Sequence, residues 1–160
     1  ERLMERGHKI CFMAEYYLPD LRTLKALPSD YEFRVLTPAD FKSLYLPEWS
    51  NALCKDRKEL DVLGVGAYDN GKLIGLSGCS EDAKDMWQIG IDVLPDYRKR
   101  GIGTALVKLL RNETMRRGAI PYYGTSLSNL RSWKIALASG FKPAWVESET
   151  SKIEKNKFEK

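Results

Sequence analysis

The chain has a single histidine, His8, and only three cysteines, Cys11, Cys54 and Cys79, at wide spacing and with no CxxC pair. One histidine excludes most His-based catalysis and most His-ligated metal sites. Three scattered cysteines form neither a disulfide framework nor a zinc knuckle, so no metal site is expected. No apolar run approaches the ~20 residues of a membrane-spanning helix. No charged, apolar and small-residue leader pattern opens the chain. There is also little net charge: 26 Lys and Arg against 22 Asp and Glu leave +4 over 160 residues. With acids interspersed among the bases and no nucleic-acid-binding signature, a nucleic-acid partner is not expected. These absences leave a soluble domain in a reducing compartment, read here as cytoplasmic, with no membrane partner.

What is present is a chain long enough for one domain with a sizeable core, at 43% hydrophobic and 30% charged residues. Residues 10–18 form an aromatic-rich apolar run that fits an edge strand or a short helix. Residues 21–27 have helical spacing before Pro28. The stretch 1–30 reads as an extension packed on the domain, or the remnant of a longer chain. A strand at 31–36 is followed by Thr37-Pro38, a helix-start pair that predicts a helix to about Leu46. A second, charge-rich helix is expected over about 48–60. Strands at 62–68 and 73–80 flank Asp69-Asn70-Gly71, a hairpin turn signal. A third strand, with Trp87, Ile89, Ile91 and Val93 on one face, completes a meander.

Ile102, Ala105, Leu106, Leu109 and Leu110 then sit at helical spacing, an apolar stripe that predicts a helix ending at Gly118. Lys108, Arg111, Asn112, Arg116 and Arg117 are assigned to its solvent face. A strand at 119–125, a helix at 128–139 and a strand at 141–146 follow. Residues 147–160 read as a charged, frayed tail. Meander, helix, strand, helix, strand is the pattern of an α/β fold with a mixed sheet and helices on its faces.

One segment carries chemistry. Val93-Leu94-Pro95 ends a strand; Arg98-Lys99-Arg100 forms a cationic turn; Gly101-Ile102-Gly103-Thr104 opens the best helix. A helix N-terminus offers amides without internal partners and a partial positive charge, and glycine admits a ligand close to the backbone. Those parts together suit a pyrophosphate or a similar polyanion. The segment lacks the Gly-Lys-Ser/Thr of a P-loop and the full GxGxxG of a dinucleotide fold.

Arg98-x-x-Gly101-x-Gly103, following Val93-x-Pro95, closely resembles the coenzyme A motif of the Gcn5-related N-acetyltransferase (GNAT) superfamily. Asn129-x-x-Ser132 followed by Gly140-Phe141-x-Pro143 resembles that family's later motif. The resemblance covers about residues 31–146, taken as the acyl-CoA N-acyltransferase domain. It implies a mixed, mainly antiparallel sheet flanked by helices, with a V-shaped splay between central strands. It implies that the backbone around Ile91, Asp92 and Val93 binds pantetheine. It also implies that the amides of Lys99, Arg100, Gly101, Ile102, Gly103 and Thr104 hold the pyrophosphate, with the Arg98 and Arg100 side chains nearby and Asn129 on the pantetheine. The implied activity is that of an acyltransferase (EC 2.3.1 class): acetyl transfer from acetyl-CoA as cosubstrate to a primary amine of a small molecule or peptide. A homodimer is compatible with it. The alternative is a non-catalytic acyl-CoA-binding module of a larger protein.

Two departures bear on catalysis. The position of the family's frequent tyrosine acid, seven residues after the asparagine, is Ala136. Trp87 and Gln88 stand where some members carry a glutamate base. Ser126, at the end of the strand beside the gap, is the candidate proton donor, and Asp92 the candidate base through water. One of Tyr122 and Tyr123 is expected to face the site and the other the core. Cys79 is read as a small buried hydrophobe. Leu46-Pro47-Glu48-Trp49 is a candidate wall of the acceptor pocket.

Overall fold

The computed structural model describes residues 2–22 and 29–153. A short helix, α1 (Arg2–Glu5), precedes strand β1 (His8–Pro19), and β2 (Glu32–Leu36) leads into a roof of short 3-10 turns. Strands β3 (Asp61–Asp69), β4 (Lys72–Ala83) and β5 (Met86–Val93) form the expected meander. Its first hairpin turns at Asn70-Gly71, both at positive φ. Helix α2 (Ile102–Arg116), strand β6 (Ile120–Ser126), helix α3 (Leu130–Ala138) and strand β7 (Phe141–Lys152) complete the chain. The seven strands form one sheet in the order β2-β3-β4-β5-β6-β1-β7. Every neighbouring pair is antiparallel except β5 and β6. The result is the expected mixed, mainly antiparallel α/β architecture.

The single parallel pair is short. It runs from Met86↔Ile120 to Ile89↔Tyr123 and then stops. Beyond that point β5 stays bonded to β4 as far as Val93, and β6 stays bonded to β1 as far as Ser126. Each strand keeps its outer partner and loses its inner one, so the sheet opens as a V between Gly90–Val93 and Gly124–Ser126. Pro95 and the turn after it carry the chain from the mouth of that V into α2.

Helix α2 packs on one face of the sheet. Its buried residues Ile102, Leu106, Val107 and Leu110 meet Leu63, Val65, Ala67, Ile74, Ile89 and Tyr123 in the main core, and Ala105 is buried beside them. Leu109 is only partly buried at its rim. Arg111, assigned from its charge to the solvent face, is instead fully buried. Its Nη2 donates to the Arg22 carbonyl at 3.1 Å, its Nη1 to Asn112 Oδ1 at 2.9 Å, and its guanidinium lies 5.9 Å from the Phe141 ring centre. Hydrogen bonds from both terminal nitrogens and an aromatic ring beneath the guanidinium make burial of that charge tolerable, although Nε has no partner.

Three further expectations are corrected. The two helices expected over 38–46 and 48–60 are 3-10 turns, Asp40–Ser43, Pro47–Trp49 and Lys55–Leu60. Pro47 and an extended Leu46 interrupt the first run, and the main-chain amides of Asn51 and Ala52 are taken by the Asp92 carboxylate. The aromatic run 10–18 is a strand, and not at an edge: β1 lies inside the sheet, between β6 and β7. Residues 147–152, read as frayed tail, continue β7 and pair with His8–Ala14. Charge argued for disorder there, but a bonded neighbour supplies the backbone partners. An outermost strand with charged side chains toward water is a common way to blunt a sheet edge. The helix expected over 21–27 and residues 154–160 lie outside the described residues, except Leu21 and Arg22, which form a bend.

Candidate active site

The V between β5 and β6 opens into a cleft of about 1160 Å³. Helix α2 supplies one side. Lys99 and Gly101 adopt left-handed φ values of 63° and 79°, and Gly101 is the N-cap residue of α2. No side chain caps that first turn, so its amides face the cleft without a protein acceptor. A Cβ at Gly101 would meet no atom within 4 Å: the space over this turn is open. Arg98 lines the cleft, with its Nε anchored on the Val93 carbonyl at 3.0 Å. A left-handed turn, an uncapped helix start and an oriented guanidinium make a concave anion site.

Of the ten residues expected to touch the cofactor, nine line this cleft: Ile91, Val93, Arg98, Lys99, Gly101, Ile102, Gly103, Thr104 and Asn129. Arg100 does not. It lies between two left-handed residues, and its side chain turns to the other side of the loop. There Nη1 donates to Tyr31 Oη at 3.0 Å and the guanidinium lies 5.4 Å from the Tyr97 ring centre. Asn129 is the N-cap of α3 and accepts from the Ser132 amide at 3.2 Å. Two cations that sequence reasoning missed, Arg131 and Lys134, join the cleft wall from α3. Their signal was faint, since only the motif spacing around Asn129 hinted that this helix faces the gap.

The opposite wall is the loop 50–54, laid on the outer face of β4 and β5. It sits so close that a Cβ on Gly90 would fall 1.8 Å from the Asn51 carbonyl oxygen, and one on Gly78 2.1 Å from that of Ala52. Asp92 fastens the loop. One carboxylate oxygen accepts from the Asn51 and Ala52 amides at 2.8 and 2.9 Å, and the other from Asn51 Nδ2 at 2.7 Å. Asp92 lines the cleft, but this geometry engages both its oxygens in holding the loop. Ser126 also lines the cleft, with its hydroxyl 2.9 Å from that of Ser128.

At the closed end of the V the register puts Asp61, Ser80, Gln88 and Tyr122 in one row across four strands. Asp61, Ser80 and Gln88 reach the cleft, as does Arg57 from the roof. Asp61 is 2% exposed and accepts from the Cys54 amide at 3.1 Å. Burial raises its carboxyl above the usual range, against the pull of that amide, the Tyr45 hydroxyl and Arg57. Asp82 pairs with Arg57 at 2.7 Å and accepts from Ser80 Oγ at 3.1 Å and Tyr122 Oη at 3.3 Å. Tyr122 donates to Asp82 from this row without lining the cleft, whereas Tyr123, buried in the core, is the one of the pair that lines it, so the expected split into one site-facing and one core tyrosine is not what the structure has. Tyr16 stacks on Trp145 at 4.9 Å, and Tyr122 tilts against both. Cys79 is fully buried against Thr114, its thiol pushed up to about 12 by burial. Trp49 packs in a second core cluster under the roof, and Leu46-Pro47-Glu48-Trp49 does not reach the cleft. Among the described residues no three His, Cys, Asp or Glu side chains gather as a metal site, and no helix is long and apolar enough to cross a membrane.

A splayed parallel pair with an uncapped glycine-rich helix start beside it defines the class: an acetyltransferase fold of the Gcn5-related type. The profile of the Acetyltransferase (GNAT) family matches residues 23–141, and the chain belongs to that family. Solved structures agree on the fold. A Gcn5-related N-acetyltransferase from Sphaerobacter thermophilus aligns at a TM-score of 0.69 and 17% identity, over 96% of this chain and 56% of its own. A Gcn5-related N-acetyltransferase-like protein from Streptococcus suis aligns at 0.65 and 19%, over 94% and 66%. An aminoglycoside N-acetyltransferase in complex with CoA aligns at 0.54 and 21%, over 84% and 99%. The chain thus spans between about half and two thirds of the length of the first two. No curated protein matches the sequence.

Proposed function

We propose that the chain transfers an acetyl group from acetyl-CoA to a primary amine. The carrying observation is the V itself: unpaired backbone of β5 on one side, the uncapped start of α2 on the other, in one continuous cleft. The bound CoA of the structurally similar aminoglycoside enzyme supports the cofactor. The pyrophosphate is held by the amides of 101–104 with Arg98 and Lys99, and Arg131 and Lys134 add charge from α3. The pantetheine lies along Ile91–Val93 and Asn129. The thioester carries the activation; the protein sets a neutral amine against the carbonyl carbon, and proximity is the main source of rate. Ser126, linked to Ser128, donates a proton to the departing thiolate, and Asp92 serves as the anchor of the acceptor-side wall.

The test is a panel of primary amines with acetyl-CoA and detection of free thiol. Amine-dependent thiol release supports transfer. Saturable CoA binding with no release for any amine returns the reading to a binding module, and no CoA binding removes both.

A further inference from the structure

Neither of the family's frequent acid–base positions carries a usable side chain here, yet the acceptor end of the cleft holds a buried carboxylate. We propose that Asp61, at the head of β3, is the proton acceptor for the incoming ammonium, and that the acceptor enters as a cation between the Asp61–Gln88 row and the Tyr16–Trp145 stack. The inference rests on the acetyl-transfer reading above.

Three placements carry it. The row Asp61–Ser80–Gln88–Tyr122 lies at the apex of the V, where the last parallel pair, Ile89↔Tyr123, closes the gap. A cofactor whose phosphates sit at the α2 end must run its acyl end toward this apex. The charges also sort along the cleft. The lining cations Arg98, Lys99, Arg131 and Lys134 stand at the α2 and α3 end, and Asp61 stands at the far end. Arg57, the cation at that far end, is paired with Asp82. Finally, an aromatic stack stands behind Gly124, which lines the cleft, without itself lining it. The Tyr16 ring lies 2.7 Å from where a Cβ on Gly124 would stand, and Gln88 Nε2 lies 3.3 Å from it, so the stack backs this wall of the cleft. Acid beside aromatic faces suits an ammonium carried on an apolar body.

The step balances simply. The acceptor ammonium gives one proton to the Asp61 carboxylate, directly or through a water. Its freed lone pair forms the bond to the thioester carbonyl carbon. As the tetrahedral adduct collapses, the carbon–sulfur bond breaks, Ser126 gives its hydroxyl proton to the thiolate, and the second nitrogen proton restores the Ser126 hydroxyl. Asp61 then returns its proton to solvent. The groups facing Asp61 are Tyr45 and Cys54 from the roof, Arg57 beside them and Asp82 from β4. Burial holds its carboxyl high, so its basic form is gained as pH rises.

The experiment compares the wild type with Asp61→Asn, using CoA binding by calorimetry as the control for folding. For an alkylamine, kcat/KM of the variant falls about 100-fold or more, as for loss of a general base. For hydroxylamine, whose nitrogen is already neutral near pH 7, the variant stays close to wild type. The acidic limb of the wild-type alkylamine profile moves in the variant up to the amine's own ionisation at ~10. Equal losses with both nucleophiles, or an unchanged rate and pH profile with the alkylamine, overturn the assignment of Asp61. If Asp61→Asn fails to bind CoA, the wild type alone decides through the same acceptor pair. At saturating alkylamine the kcat profile must show an acidic limb well below the amine's own ionisation at ~10, absent with hydroxylamine, and a limb at the amine's own ionisation overturns it. A wild type that binds CoA and acetylates no amine instead overturns the underlying reading.

Discussion

The two ends of the cleft are built in opposite ways. The cofactor end is made of contiguous chain: strand, cationic turn and glycine-opened helix, within residues 91–104, supplemented by one face of α3. The acceptor end is assembled across the sheet from Asp61, Ser80, Gln88 and Tyr122, which only strand register brings together. A site of backbone amides survives many side-chain changes and leaves a local signature. A site of side chains gathered from distant segments leaves none.

That contrast gives the variants their order. The largest loss is expected from replacing Arg98 with Ala and Gly101 with Glu together. A carboxylate is then set over the uncapped first turn, where the open space admits it, and the anchored guanidinium is removed. CoA affinity by calorimetry falls at least about 100-fold, since both the helix-start charge and a charge-assisted contact are reversed or lost. Retained affinity would mean that the phosphates lie elsewhere.

Gly90→Val strikes the other wall. Its Cβ would lie 1.8 Å from the Asn51 carbonyl, so the loop 50–54 must lift off the sheet. Overpacking of this kind costs about 3 kcal/mol, read by urea unfolding. Amine turnover falls with it, while the α2 end keeps most of its CoA affinity. Equal damage at both ends would break the division drawn here.

Asp92→Asn is milder. The amide can place only one oxygen, so either the two main-chain donors or Asn51 Nδ2 lose their acceptor. Stability drops by about 2 kcal/mol. A variant of unchanged stability whose rate alone collapses would restore Asp92 as the base and displace Asp61.

How far the sequence spoke follows the same division. The meander, its Asn70-Gly71 hairpin, α2 and the anion-binding turn were all legible, because periodicity, turn residues and helix-start chemistry are local. The V was legible only through resemblance. Strand β1 was not, since nothing in its aromatic run says that it will pair with both β6 and residues 141–152. The same ignorance turned 147–152 into a tail. Arg111 was misplaced because charge stood in for exposure, whereas the Arg22 carbonyl and the Phe141 ring pay for its burial. Asp61 carried no signal, being one acid ahead of an apolar strand. The bonded row across β3, β4, β5 and β6 and the roof above it give it its neighbours.

The smallest effect is the sharpest check on the cofactor end, because sequence and structure disagree there. Arg100 sits in the middle of the motif, and its charge alone argued for a place beside the pyrophosphate. The left-handed conformations of Lys99 and Gly101 on either side of it instead turn its side chain toward Tyr31 and Tyr97. Arg100→Ala therefore leaves CoA affinity within about twofold. What remains is a change in local charge, damped by salt over a Debye length of ~8 Å. Its stability cost is small, because only a solvent-exposed cation–π contact and one hydrogen bond to Tyr31 are lost. The same substitution at Arg98 removes a guanidinium that lines the cleft and lowers affinity clearly. If the two alanine variants lose affinity equally, the turn binds phosphate by net charge alone. If only Arg98→Ala does, backbone conformation decides which of two neighbouring arginines meets the ligand.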